Sequence, residues 1–252
     1  MKTEVYINPA YSSFNAFIHQ IPKLFSLTGT PLHMGRNEVY LVDVRGNPFV
    51  VKYFKRITFA NRFIYAHIRK SKARRSYEHS MLLLSKGITT PEPIAYIDCY
   101  KHGLLSLSFY VCRHTNYRPF EELLTLPITE SEEALKAFAR FSFKLHKNGI
   151  FHKDYSGGNV LYLPTDNGFD FSLIDNNRMR IRNYKYFRAI RSMDHLNMSV
   201  ACLGIIAAEY AKMAQISDIK LINSITMSKL LYQDKISIKH GIKSLKKLIL
   251  GQ

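Results

Sequence analysis

The sequence predicts an α+β chain in two lobes, a small strand-rich lobe over residues 1–112 and a larger helical lobe over residues 113–252. Two observations carry this expectation. Short β-branched and aromatic runs bounded by turn residues crowd the first half, whereas apolar residues recur at helical spacing in the second. The composition, 46% hydrophobic and 22% charged over 252 residues, suits a folded chain with one large core or two smaller ones.

The first 35 residues are hard to read beyond a short helix near 14–25. Glu38–Val44 and Phe49–Phe54 then read as strands, joined by the turn chemistry of Arg45-Gly46-Asn47-Pro48 into a hairpin. Ser71–Lys86 reads as a helix stopped by Gly87. Ile94–Tyr100 and Leu104–His114 are two more strands, broken at Lys101-His102-Gly103.

In the second half, Thr129 and Glu132 have capping-box spacing, and Leu135, Phe138, Phe141 and Leu145 continue a helix that ends at Gly149. Short strands at Val160–Leu163 and Phe169–Ile174 precede a helix over Asp194–Gln215. The tail, Ser228–Gln252, is rich in Lys, Leu and Ile. It suits either a basic amphipathic helix on anionic lipid or a helix packed on the large lobe with solvated lysines, and the packed helix is preferred.

Thirty-six Lys and Arg against 19 Asp and Glu leave a net charge of +17, which calls for an anionic partner: phosphate groups, nucleic acid or anionic lipid. Three widely spaced cysteines, Cys99, Cys112 and Cys202, exclude a disulfide framework and fit a reducing cytoplasm. Ten histidines form neither an H-E-x-x-H pattern nor a Cys/His cluster, so no zinc site is expected. No secretory leader is visible, and the apolar stretch near Val200–Ala208 is too short to span a bilayer. The expected location is therefore cytosolic or on a membrane surface.

The sharpest chemical signal is His152-Lys153-Asp154-Tyr155-Ser156-Gly157-Gly158-Asn159, which fits the kinase catalytic-loop pattern H-x-D-x-x-x-x-N. Phosphoryl transfer needs a carboxylate at the attacking hydroxyl and hard oxygen ligands for Mg²⁺. Asp154 can supply the first and Asn159 one of the second, with Gly157 and Gly158 letting the loop turn tightly. Asp175, at the end of the apolar run Phe171–Ile174, is the second metal candidate. An Asp in a Gly-rich loop is by itself an ordinary turn residue, so the weight lies in the combination.

Lys52, inside the apolar strand Val50-Val51-Lys52, is either an outward solvated side chain or a phosphate ligand. Glu78 is the only acidic residue between Tyr53 and Pro91 and lies mid-helix, where a glutamate pairing with Lys52 would stand. The alternative makes it a surface partner of Arg74, Arg75 or nearby lysines.

Assembled, these residues resemble the Kdo/heptose lipopolysaccharide kinase family, a bacterial branch of the protein-kinase-like superfamily, over roughly residues 35–197. The match also rests on Gly35-Arg36-Asn37, Ser71–Glu78, Gly87–Ile94 and Ile174-Asp175-Asn176-Asn177-Arg178-Met179. The resemblance implies a two-lobed protein-kinase-like fold and ATP- and Mg²⁺-dependent phosphorylation of an inner-core sugar such as Kdo on lipid A, at the cytoplasmic face of the inner membrane. In its terms Lys52 and Glu78 grip phosphates; with only Gly35-Arg36-Asn37 before Lys52, the backbone cradle is either partial or helped by Arg36 and Asn37. Asp154 is catalytic, His152 shapes its loop, and Asn159 and Asp175 hold metal. Phe109–Arg113, centred on Val111, corresponds to the hinge whose backbone binds adenine.

The departures are informative. No full G-x-G-x-x-G precedes Lys52, Asn176-Asn177 stands where Phe-Gly is usual, and no A-P-E segment follows. The missing A-P-E disfavours a protein acceptor. Two basic clusters, Arg69 to Arg75 and Arg178 to Arg191, give the surplus charge a use: the second is expected to face an anionic glycolipid acceptor of the Kdo–lipid A kind, the first ATP or the inner membrane. The competing readings are a protein or small-molecule kinase of the same fold, and an inactive basic scaffold or nucleic-acid binder. No nucleic-acid recognition pattern supports the last, and oligomeric state is left open.

Overall fold

The computed structural model describes residues 2–24 and 29–250, the side chains of 239–250 only in part. The chain divides into two compact units, Met1–Asn116 with Ser172–Asn177, and Tyr117–Phe171 with Arg178–Gln252. The division falls after Asn116 rather than residue 112, and it returns six residues around Asp175 to the first unit.

The first unit holds β1 (Lys2–Ile7), α1 (Asn15–Leu24), β2 (Thr30–Met34), β3 (Glu38–Val44), β4 (Asn47–Tyr53), α2 (Phe59–His67), α3 (Lys72–Ser85), β5 (Pro93–Lys101) and β6 (Leu104–Arg113). The strands form one antiparallel sheet in the order β1-β5-β6-β4-β3-β2. The β3–β4 turn is tighter than expected. Arg45 and Gly46 alone make it, both at positive φ (56° and 76°), so Asn47 and Pro48 enter the ladder opposite Val44 and Asp43. A two-residue turn of this hand matches the strand twist. His102 and Gly103 repeat it between β5 and β6.

Strand alternation separates two faces. Phe49 and Val51 of β4 join Tyr40, Val42, Ile97, Phe109 and Val111 under Ile18 and Ile21 of α1. The Phe14 ring stands edge-on to Phe49 at 4.9 Å. On the opposite face α3 lays Ala73 and Tyr77 on Phe54, Tyr96, Tyr110 and Cys112. Ser71 caps α3, accepting from the Arg74 amide at 3.0 Å, and also hydrogen-bonds to Asp98 of β5. Ser108 donates to the same carboxylate at 2.7 Å. The helix start is thereby tied to the sheet through a buried acid.

The second unit holds β7 (Arg118–Pro119), α4 (Ile128–Lys147), β8 (Ile150–His152), β9 (Val160–Thr165), β10 (Gly168–Leu173, its last two residues in the first unit), β11 (Met179–Ile181), α5 (Tyr186–Ser192), α6 (Val200–Ala214) and α7 (Asp218–Leu250). β7, β9 and β10 form one small sheet, and β8 pairs with β11. On α4, Phe138 stacks on Phe120 at 4.2 Å and on Tyr155 at 5.7 Å, and Ser142 hydrogen-bonds the Tyr155 hydroxyl at 2.8 Å. One turn on, buried His146 stacks on Phe151 of β8 and bonds Ser192 of α5 and Tyr210 of α6. Burial pushes this imidazole down to about 3, so it stays neutral and ties three elements to the strand that opens the loop over residues 152–159.

Two helix starts differ from expectation. The Thr129–Glu132 box is not formed: α4 begins at Ile128 behind Pro127, so Thr129 already lies within the first turn. The helix expected from Asp194 begins at Val200, because Ser199 caps it through the Cys202 amide at 3.2 Å. The first part of α7 is packed, with Leu221 and Ile225 buried. Among the described residues no helix is long and apolar enough to cross a membrane, and the three cysteines are free and buried.

Asp98 gives the fold a measurable pH signature. Burial raises its carboxyl from 3.8 to about 6 against the opposing pull of Ser71 and Ser108. A carboxyl raised on folding contributes stability below its unfolded value and loses it as pH rises through the folded one. Asp98→Asn is therefore expected to gain about 3 kcal/mol relative to wild type between roughly pH 4 and pH 7 in urea unfolding. A difference that does not change with pH would contradict this.

Candidate active site

In the first unit, Lys52 reaches the α3 face of the sheet and its Nζ is ion-paired with Asp175 Oδ1, 123 residues along the chain. Both side chains are about one-fifth exposed (19% and 21%). Asn177 donates to the same carboxylate oxygen at 2.7 Å. Asp175 has φ 57°, the left-handed region that a non-glycine residue enters only when its surroundings impose it.

Those surroundings are polar. The Leu173 amide donates to Thr89 O at 3.0 Å, and the Thr90 hydroxyl donates to Leu173 O at 2.7 Å. The buried Asn176 amide donates to Ser80 and Thr90 hydroxyls, each at 2.9 Å. His79 Nδ1 donates to Asn176 O at 2.6 Å, and Arg75 donates to Asn177 O at 2.8 Å. Asn176, at the position where the kinase pattern has Phe, thus anchors the Asp175 segment by hydrogen bonds to α3 and Thr90.

This geometry corrects the expected Lys52–Glu78 pair. Glu78 is held by Lys70 at 2.8 Å and by Arg74 at 3.0 Å, one helical turn before it. Arg74 also reaches Glu4 of β1 at 3.4 Å. The residues of α3 that bond the Asp175 segment are Arg75, His79 and Ser80; Arg74 and Glu78 stand on the neighbouring stripe of the helix, so the glutamate faces away. Val111 is corrected too. It lies in mid-strand, fully buried, opposite Val51 and Ala95, with its backbone in the sheet ladder. The chain leaves the sheet only after His114, whose amide still donates to Pro48 O at 3.0 Å. Arg36, exposed, and Asn37, half-buried with its Oδ1 out of solvent, lie in the turn between β2 and β3, closed by Gly35 N to Asn37 O at 3.1 Å. Just beyond, Val39 pairs with Lys52 and Leu41 with Val50, so these half-buried apolar side chains share the lysine's face.

In the second unit, β8 ends in buried His152, whose Nδ1 accepts from the Asp154 amide at 3.2 Å. Asn159 Nδ2 donates to Asp154 O at 2.8 Å and to Ser156 Oγ at 3.3 Å, closing the loop on itself. The β8–β11 ladder extends through Lys153 N to Arg178 O, which delivers the Arg178 guanidinium to Asp154 Oδ2 at 2.5 Å. His195 stands 4.0 Å from the other oxygen and is bonded by the Tyr232 hydroxyl at 2.9 Å. Arg178 and His195 as direct neighbours of Asp154 were not foreseen; only the place of Arg178 at the head of the basic cluster hinted at one of them.

Gly157 serves a different purpose from the expected tight turn, since its φ is not positive. A Cβ there would lie 2.5 Å from Glu121 Cγ and 3.4 Å from that residue's backbone. The loop is shaped by close packing against Glu121. Gly149 meets both demands: φ is 73°, and a Cβ would approach Arg182 O to 2.4 Å.

Among the described residues, no three His, Cys, Asp or Glu side chains cluster into a metal site. Mg²⁺ does not require one, since it uses one or two protein oxygens with phosphates and waters. In the first unit Asp175 offers such an oxygen, a carboxylate held in place by Lys52 and Asn177; in the second unit Asn159 commits its amide nitrogen to the loop.

No protein-family model and no curated protein matches the sequence. The structure is similar to WaaP in complex with acyl carrier protein, with a TM-score of 0.63 and 15% identity over 95% of this chain and 99% of the matched chain. A MAP kinase from Leishmania major matches with a TM-score of 0.43 and 14% identity over 84% of this chain and 65% of the matched one, too low a score to carry weight. The chain is a kinase-fold protein, α+β and protein-kinase-like, as the sequence predicted.

The anchoring of Asp175 predicts that Thr90→Val, which orphans Leu173 O and one Asn176 N–H, destabilises the chain by about 1–3 kcal/mol, whereas Thr90→Ser does not. Equal unfolding midpoints for all three proteins would contradict it. Gly157→Ala is expected to speed amide exchange across residues 152–159, and Gly158→Ala less so, because there the added Cβ meets only the far end of Glu121 at 3.2 Å. The reverse order would show that Glu121 does not shape the loop.

Proposed function

We propose that the chain is an ATP- and Mg²⁺-dependent kinase that phosphorylates a sugar hydroxyl of an anionic glycolipid, of the Kdo- or heptose-bearing lipid A kind. The observation that carries this reading is the Lys52–Asp175 ion pair on one face of the first unit's sheet, beside Val39, Leu41 and Val50. A strand lysine beside a strand-end aspartate is the pair that phosphoryl transfer uses to hold phosphates and metal. The half-buried apolar side chains next to it suit a flat base.

Mg²⁺ would neutralise phosphate charge, and Asp175 of the first unit and Asn159 of the second are each proposed as an oxygen ligand for it. Lys52 then binds phosphate oxygens. Asp154 takes the proton of the acceptor hydroxyl as its oxygen bonds to the γ-phosphorus and the bond to the ADP oxygen breaks. Arg178, and His152 through the Asp154 amide, fix where that carboxylate points. The location that suits such an acceptor is the cytoplasmic face of the inner membrane, and the +17 balance favours an anionic surface.

ATP consumption by the purified chain is expected to depend on both Kdo–lipid A and Mg²⁺. Asp154→Asn should lower it by about a thousandfold or more while leaving the thermal midpoint unchanged. Equal consumption by wild type and Asp154→Asn would refute the assignment.

A further inference from the structure

We infer that an arginine-lined cleft beside the catalytic loop binds an oxyanion, carboxylate or phosphate, carried by the acceptor. The inference deepens the kinase reading and rests on it for the identity of the ligand. β11 lies antiparallel to β8 with Arg180 opposite Phe151. Together with α5 it presents Arg180, Arg182, Arg188 and Arg191 to one cleft of about 340 Å³, whose wall also includes Lys153 and His195. Lys153 immediately precedes Asp154, and His195 stands 4.0 Å from its carboxylate.

No acidic side chain lines this cleft. Among the described residues, no carboxylate pairs within 4.0 Å with any of the four guanidinium groups; Asp194, next along the chain, is bonded by Ser228 and acts on Arg191 only through its longer-range charge. Arg188 donates to Asn183 O, which orients it without neutralising it. So many like charges around one hollow repel each other unless an anion enters, and guanidinium groups match carboxylate and phosphate oxygens in pairs. Phe187, 53% exposed on the same wall, carries the Arg188 guanidinium 5.6 Å over its ring, which further orients that arginine. The volume is at the small end for ligand sites and suits one saccharide unit rather than a whole glycolipid.

The test measures binding without ATP. Kdo–lipid A in neutral detergent is titrated into the full chain as wild type, as Arg180→Gln/Arg191→Gln, and as the control Lys101→Gln/Lys220→Gln, which removes equal charge from exposed positions outside the cleft. The cleft pair is expected to bind roughly tenfold more weakly and the control to change by less than about twofold. Displacement from wild type by free Kdo assigns the anion as carboxylate, and by inorganic phosphate as phosphate; displacement by neither overturns the proposal. So does equal weakening of both pairs, unchanged binding by the cleft pair, or no binding by wild type. If wild type binds as expected but transfers no phosphate, the kinase reading fails and the cleft stands. If wild type phosphorylates the glycolipid and the cleft pair keeps its KM, the cleft assignment fails alone.

Discussion

A lysine and an aspartate, each four-fifths removed from water, hold one another in the first unit, and most of that unit is arranged to keep them so. Charges withdrawn from solvent are tolerable only when paired and further bonded. Lys52 is placed by the central strand β4, which is flanked by β3 and β6. Asp175 itself has left-handed backbone, which its short segment could not hold unaided. Thr89, Thr90, Ser80, His79 and Arg75 supply the bonds that do, all from α3 or the turn after it. An apolar side chain at residue 176 would tolerate sliding; an amide bonded to two buried hydroxyls does not slide cheaply.

The second unit solves a different problem, exposing one carboxylate in a fixed direction. Its rigidity comes from aromatic packing on α4 and from neutral His146 under β8. The two-strand ladder of β8 and β11 then carries Arg178 to Asp154 and lines the neighbouring cleft with arginines.

Much of this was legible in the sequence where local chemistry decides structure. Arg45-Gly46-Asn47-Pro48 and Lys101-His102-Gly103 announce turns, each longer than the two residues that make it, and Ser71 and Gly87 bracket α3. What escaped depends on distant partners. β1 is a strand because β5 offers it an edge, with only Val5 and Ile7 turned to the core, and β2 is exposed throughout. Glu78 was paired with Lys52 from its rarity and mid-helix place, but a shift of one residue around a helix turns a side chain by about 100°, and β1 supplies Glu4 on the side Glu78 faces. The hinge was placed on Val111 because the strand's true end is set by the Pro48 and Glu92 carbonyls that receive His114 and Arg113. Gly157 looked like a turn glycine, since the approach of Glu121 across the loop leaves no local mark.

The most direct measurement is the mass of the lipid A–core glycolipid from cells that carry the chain and from cells that lack it. The account predicts a species one phosphate heavier, with the added group on a sugar, only where the wild-type chain is present. Identical glycolipid masses in the two, under conditions where the folded chain is detected in the cells, would contradict it.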